Sequence, residues 1–147
     1  MSKTIFWRAE TLLTKRLLAI FMCAVCLTML TVPAFARASA QISSYEITAS
    51  TSSNTIWVEF YVDANTMMEK IGCESVDLYE LSGTKWILCE SLDEKDSGMS
   101  RSNARAFSND IEFDAEKGVE YKVVVTVFAD DGSERDTRTR TFYVTGK

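Results

Sequence analysis

Apolar and polar residues alternate with a period of two through most of the chain beyond residue 41, and no long segment repeats near 3.6. That pattern admits strands with one buried face and excludes a helical bundle. It is plain in TIWVEFYVD, residues 55–63, where Ile56, Val58, Phe60 and Val62 share one face and Trp57, Glu59 and Tyr61 the other. It is strongest in VEYKVVVTVFA, residues 119–129, with Tyr121, Val123, Val125 and Val127 on one face. Shorter alternating runs occupy residues 42–49, 74–81, 85–91, 102–108 and 134–144. Polar or glycine-bearing segments separate them: Ser50–Asn54, Ser82-Gly83, residues 93–100, Asp114–Gly118 and Asp130–Ser133. One segment reads differently. Thr66-Met67-Met68-Glu69 has capping-box spacing and Gly72 follows closely, which predicts one or two helical turns. Seven strands with turns about every eight to twelve residues predict an all-β fold, a sandwich of antiparallel strands in a single domain.

The N-terminus follows another rule. Lys3, Arg8, Lys15 and Arg16 stand against the single acid Glu10, and residues 17–30 carry no charge. Fourteen uncharged residues, all but Thr28 apolar, are few for a membrane span, which needs about 20. Pro33, the only proline, precedes Ala34-Phe35-Ala36. The order basic, apolar, small is that of a secretory signal peptide. Residues 1–36 are therefore expected to be a cleaved leader and residues 37–147 the secreted domain. Cleavage is expected after Ala36, with a second site after Ala40; an uncleaved anchor is the alternative. Cys23 and Cys26 form a C-x-x-C inside the leader and are expected to leave with it.

Beyond the leader there are 12 Lys and Arg and 20 Asp and Glu, a net charge of −8. Such a domain suits neither nucleic acid nor an anionic membrane surface. There is no histidine, which excludes Ser-His-Asp and Cys-His catalysis and imidazole metal sites. No metal or cofactor is expected. Cys73 and Cys89 are the two remaining cysteines, and in an exported chain an isolated pair suggests a disulfide. Two buried free thiols are the alternative.

Gly118-x-x-Tyr121-x-Val123-x-Val125 resembles the E–F corner of immunoglobulin-like and fibronectin type III domains. There a tyrosine at the start of strand F bonds its hydroxyl back to the upstream backbone. The resemblance implies a structural role for Gly118 and Tyr121. No proline precedes Gly118, and Phe60 stands where fibronectin domains tend to carry a core tryptophan. The chain also resembles a group of small secreted proteins of Gram-positive bacteria. They pair a signal peptide with an N-T-x-M-x-x-I-G-like segment, here Asn65–Gly72, and a later G-x-x-Y strand. This resemblance implies a location and a fold and transfers no functional residue.

Trp57 and Tyr61 share one strand face, and rings spaced about 7 Å along a strand can stack on sugars or anchor a protein. Packing beneath a loop is the alternative. Trp86 extends the same surface if its strand lies alongside. The acids of residues 93–98 fail the calcium-loop pattern, since Lys95 takes a ligand position and Ala104 stands where the closing glutamate belongs. Arg138 and Arg140 alternate with Thr137, Thr139 and Thr141, either as a solvated edge face or as an edge for strand addition. The expected function is non-enzymatic binding of a protein or glycan surface by a secreted monomer through Trp57, Tyr61 and Trp86. A small carboxylate-dependent hydrolase and a self-assembling envelope protein are the alternatives.

Overall fold

The computed structural model describes residues 41–147. The expected leader, Cys23, Cys26 and both expected cleavage sites lie outside the described residues. The chain divides into two units, residues 1–36 and 37–147, and the described residues all belong to the second.

Six strands build this unit: β1 (Ile42–Ser52), β2 (Thr55–Ser82), β3 (Lys85–Asp93), β4 (Ser100–Asp114), β5 (Glu120–Asp130) and β6 (Arg135–Thr145). All pair antiparallel in one sheet ordered β1-β2-β5-β6, with β3 and β4 also on β2. The fold is thus all-β, an antiparallel sheet curled on itself.

β2 explains the curl. Its 28 residues would span about 90 Å if straight, whereas a globule of this chain length is about 35 Å across. The strand must bend, and its pairing shows where. Residues 55–63 lie between β1 and β4, and residues 75–80 lie between β3 and β5. The ladder to β4 breaks between Asp63 and Met68, where the Asn65 N–H donates to the Gln41 carbonyl instead (2.9 Å).

The bend brings the two apolar faces together. Ile56, Val58, Phe60 and Val62 from the first half of β2 join Val76 and Leu78 from the second, with Tyr121, Val123, Val125 and Val127 of β5. Met99 closes this core from the β3–β4 loop, fully buried. The described core residues all lie within residues 37–147, which form a compact unit of their own. The β1–β2 turn places Ser53 and Asn54 at φ 49° and 64°, the paired positive values of a two-residue type I′ hairpin.

One flank closes without a ladder. β1 and β6 run the same way, and side chains tie them at both ends. The Ile42 N–H donates to buried Asp136 (3.2 Å), and the Thr51 hydroxyl donates to the Thr145 carbonyl (2.9 Å). Between them the Arg140 guanidinium sits 5.4 Å from the Tyr45 ring centre.

Two expectations need correction. The seven expected segments form six strands, because 55–63 and 74–81 belong to one continuous β2. The expected helical turns at Thr66–Glu69 are extended. Met68, Lys70, Ile71 and Gly72 pair with β4, and Lys70–Cys73 with β5. Met68 pairs with Ala104 of β4, the residues from Lys70 on pair with strands on both sides, and the capping-box side chains have no helix to cap.

Candidate functional site

Rows of side chains on the outer face of the sheet decide where a partner can be met. Trp57 and Tyr61 stand on the outer face of the first half of β2, half-buried and 41% exposed respectively. Four residues separate them, so they lie about 13 Å apart along the strand, twice the spacing expected. Glu59 stands between them and accepts a hydrogen bond from the Thr48 hydroxyl (3.3 Å). Their cross-strand neighbours include Glu46 and Glu112. The two rings therefore form no continuous platform.

Trp86 is elsewhere. It lies on β3, beside the second half of β2, and packs on Tyr143 of β6 (ring centres 5.6 Å apart, planes at 51°). The register makes the reason visible. Leu88 pairs with Tyr79, Tyr79 with Lys122, and Lys122 with Tyr143, one row across β3, β2, β5 and β6. The Lys122 ammonium sits 3.9 Å from the Tyr79 ring centre and 5.7 Å from that of Trp86. Such a cation is attracted by the negative ring faces and orders them. Tyr143 is 68% exposed and Leu88 52% exposed. A shallow recess of about 290 Å³ beside the pair is lined by Trp86, Glu120, Tyr121, Tyr143, Val144 and Thr145. A twisted face three strand spacings wide, about 14 Å, thus presents three aromatic rings.

Sequence reasoning found Trp86 but missed Tyr79, Leu88, Lys122 and Tyr143. Tyr79 and Lys122 each sit in alternating runs, and Tyr143 follows Phe142. Only the register across four strands brings them into one row.

Below this row the Tyr121 hydroxyl accepts a hydrogen bond from the Glu116 N–H (2.9 Å), holding the β4–β5 connection against the start of β5. Gly118 adopts φ 81° in that connection. Beside it Glu80, Glu90, Asp114 and Glu116 surround a recess of about 230 Å³ that also holds Cys89.

The two cysteines are free, which corrects the expected disulfide. Cys89 lies at the irregularity of the β2–β3 ladder, level with Leu78, and its thiol donates to the Leu78 carbonyl (3.1 Å). Cys73 is five residues earlier on β2, about 16 Å away by strand rise, whereas a bridge needs α-carbons within about 7 Å. Its thiol donates to the Ser75 and Thr126 carbonyls, each at 3.3 Å. Burial pushes the Cys73 thiol up to about 12, with nearby Glu74 and Asp77 adding to the effect. Burial and Glu80 raise Cys89 as well. A thiol reagent near neutral pH is expected to label Cys89 alone in the native 37–147 domain. Both should react in denaturant; two labels on the native domain, counted by mass spectrometry, would contradict the buried site.

A scan against known protein families finds no match, and no curated protein sequence matches the chain. Among solved structures the chain is similar to Spo0M, a sporulation control protein from Bacillus subtilis, at 11% identity and a TM-score of 0.40. That similarity covers 72% of this chain and 51% of the other, so the chain spans about half that structure's length.

Proposed function

We propose that this chain is a secreted, non-enzymatic binding module with an immunoglobulin-like sandwich, of the kind found in the small Gram-positive proteins it resembles. On this reading the two halves of β2 belong to the two facing layers of the sandwich. Its ligand is a glycan surface met by Trp86, Tyr143 and Tyr79. The observation that carries this reading is the row Leu88–Tyr79–Lys122–Tyr143, exposed at Leu88 and Tyr143 and half-buried between them, with Trp86 packed on its end. Sugar rings present flat C–H faces, and aromatic rings held on a rigid sheet receive them with little loss of conformational freedom. Lys122 supplies a donor for hydroxyl or carboxylate oxygens within the same face.

The test is intrinsic fluorescence of residues 37–147 titrated with cell-wall fragments and soluble polysaccharides. A saturable change is expected, and Tyr143→Ala should weaken it about tenfold, or about 1.4 kcal/mol. Because Tyr143 is mostly exposed, its removal should alter stability by less than about 1 kcal/mol. No saturable change with any glycan would sink the glycan reading and turn the search to protein ligands.

A carboxylate hydrolase is the second reading. The recess lined by Glu80, Glu90, Asp114 and Glu116 is the observation in its favour. Release of reducing ends that Glu80→Gln or Glu116→Gln abolishes would establish it over simple binding.

A further inference from the structure

The flanks of the curled sheet are unequal. β6 pairs only with β5, but its outer flank is tied to β1 by Asp136, Thr51 and Arg140. β4 pairs only with β2, and no other described strand lies along its far side. It is a 15-residue edge, and nine of its side chains are exposed. An open edge of this length offers unpaired backbone groups to another strand.

Natural edges discourage pairing by scattering charge. On β4 the charge is sorted. Arg101 and Arg105 occupy the first half, Asp110, Glu112 and Asp114 the second, and Ala106–Asn109 between them carry none. Among the described residues, none of these three acids is in an ion pair. Asp110 stands directly opposite Glu59 in the β2–β4 ladder, a like-charge pair that a cation would relieve. Arg105 is 62% exposed at its side chain; its Nε donates to the Ala64 carbonyl (3.0 Å) and lies 3.6 Å from the Asp63 carboxylate, which steadies the guanidinium near the edge and leaves its terminal nitrogens for a further acid.

We propose that β4 is a dimer interface, with the β4 of a second copy of this chain as its partner. The two strands run antiparallel about a twofold axis near Phe107–Ser108. Arg101 and Arg105 of each copy then meet Asp110, Glu112 and Asp114 of the other. The contact uses one patch twice, as a closed twofold dimer must. Parallel pairing, or a slip that centres the axis on Glu112, sets acid against acid. The charge order therefore selects one orientation and a narrow range of registers. Asn103, at φ 51°, interrupts the strand near the break in its own ladder, so regular backbone pairing is confined to the centre and the long arginine side chains bridge the ends. This inference stands apart from the glycan reading, because the aromatic row is built on β3, β2, β5 and β6.

The test is sedimentation of residues 37–147 over about a thousandfold range of concentration, at low and high salt. A monomer–dimer equilibrium that salt weakens is expected. The double variants Arg101→Glu/Arg105→Glu and Asp110→Lys/Glu112→Lys should each be monomeric while keeping the wild-type circular dichroism. Mixing the two should restore a dimer containing one copy of each. A wild type that stays monomeric at the highest concentration overturns the proposal. So does a dimer that survives both reversals, or a mixture of the two variants that remains monomeric.

Discussion

Gly72→Ala is expected to remove a large share of the domain's stability. Gly72 is buried in β2 just after the bend, paired with Ser100 of β4 on one side and Phe128 of β5 on the other. A Cβ there would overlap the Met99 carbonyl oxygen and lie 2.7 Å from the Ser100 Cα. Both obstacles are backbone, so no side chain can swing aside. The same Met99 carbonyl accepts the Cys73 N–H at 2.7 Å, which holds the two segments at that separation. Relief means prying β4 from β2 and drawing Met99 out of the core. We expect a loss of about 3 kcal/mol or more, from a total of about 5–10 kcal/mol for a domain this small. Gly118→Ala is the control. Its φ is also positive, but nothing lies within 4 Å of the added Cβ, so it should cost only about 1 kcal/mol. Equal urea midpoints for the two variants would refute this account.

The second large effect is expected at Asp136. Its side chain is fully buried, accepts from the Ile42 N–H, and pairs with Arg138. Asp136→Ala would strand the Ile42 N–H and remove the partner of Arg138. Breaking a buried ion pair from one side costs about 3–5 kcal/mol. Arg138 is partly exposed and recovers some hydration, so we expect about 3 kcal/mol. Asp136→Asn keeps an acceptor for Ile42 and should lose about half as much. Both losses should appear as a lower urea midpoint at an unchanged slope. If Asp136→Ala is as stable as the wild type, the tie between β1 and β6 is not holding the flank closed.

The fold class was legible because burial on one face of a strand writes itself as a period of two. Each expected strand region overlaps an observed strand, but β1, β3 and β4 run further than expected, β4 by six residues at its end, and the Tyr121 segment begins β5. What local reading missed was continuity. Thr66–Glu69 matches the start of a short helix, and only β4 and β5, distant in sequence, make the stretch from there to Cys73 strand. The site was less legible for the same reason. Trp57 and Tyr61 are neighbours in a pattern, but Glu59 and about 13 Å of strand keep them apart. Trp86 and Tyr143 are 57 residues apart in sequence, yet they touch. The cysteines were misread because spacing does not tell that Cys89 on β3 comes level with Leu78, five residues beyond Cys73 on β2.

β2 pairs with every other strand except β6, and this bears on how the chain is made. Ribosomes deliver strands in order, so β2 emerges whole with only β1, then β3, to cover it. β4 must arrive before its first half is flanked. β5, which covers its second half, follows only at Glu120–Asp130. Until then a long apolar strand has an open side, and no smaller part of the sheet can close a core. The domain cannot fold until β5 has emerged, and a chain halted before β5 would be a substrate for chaperones and proteases rather than a half-built domain.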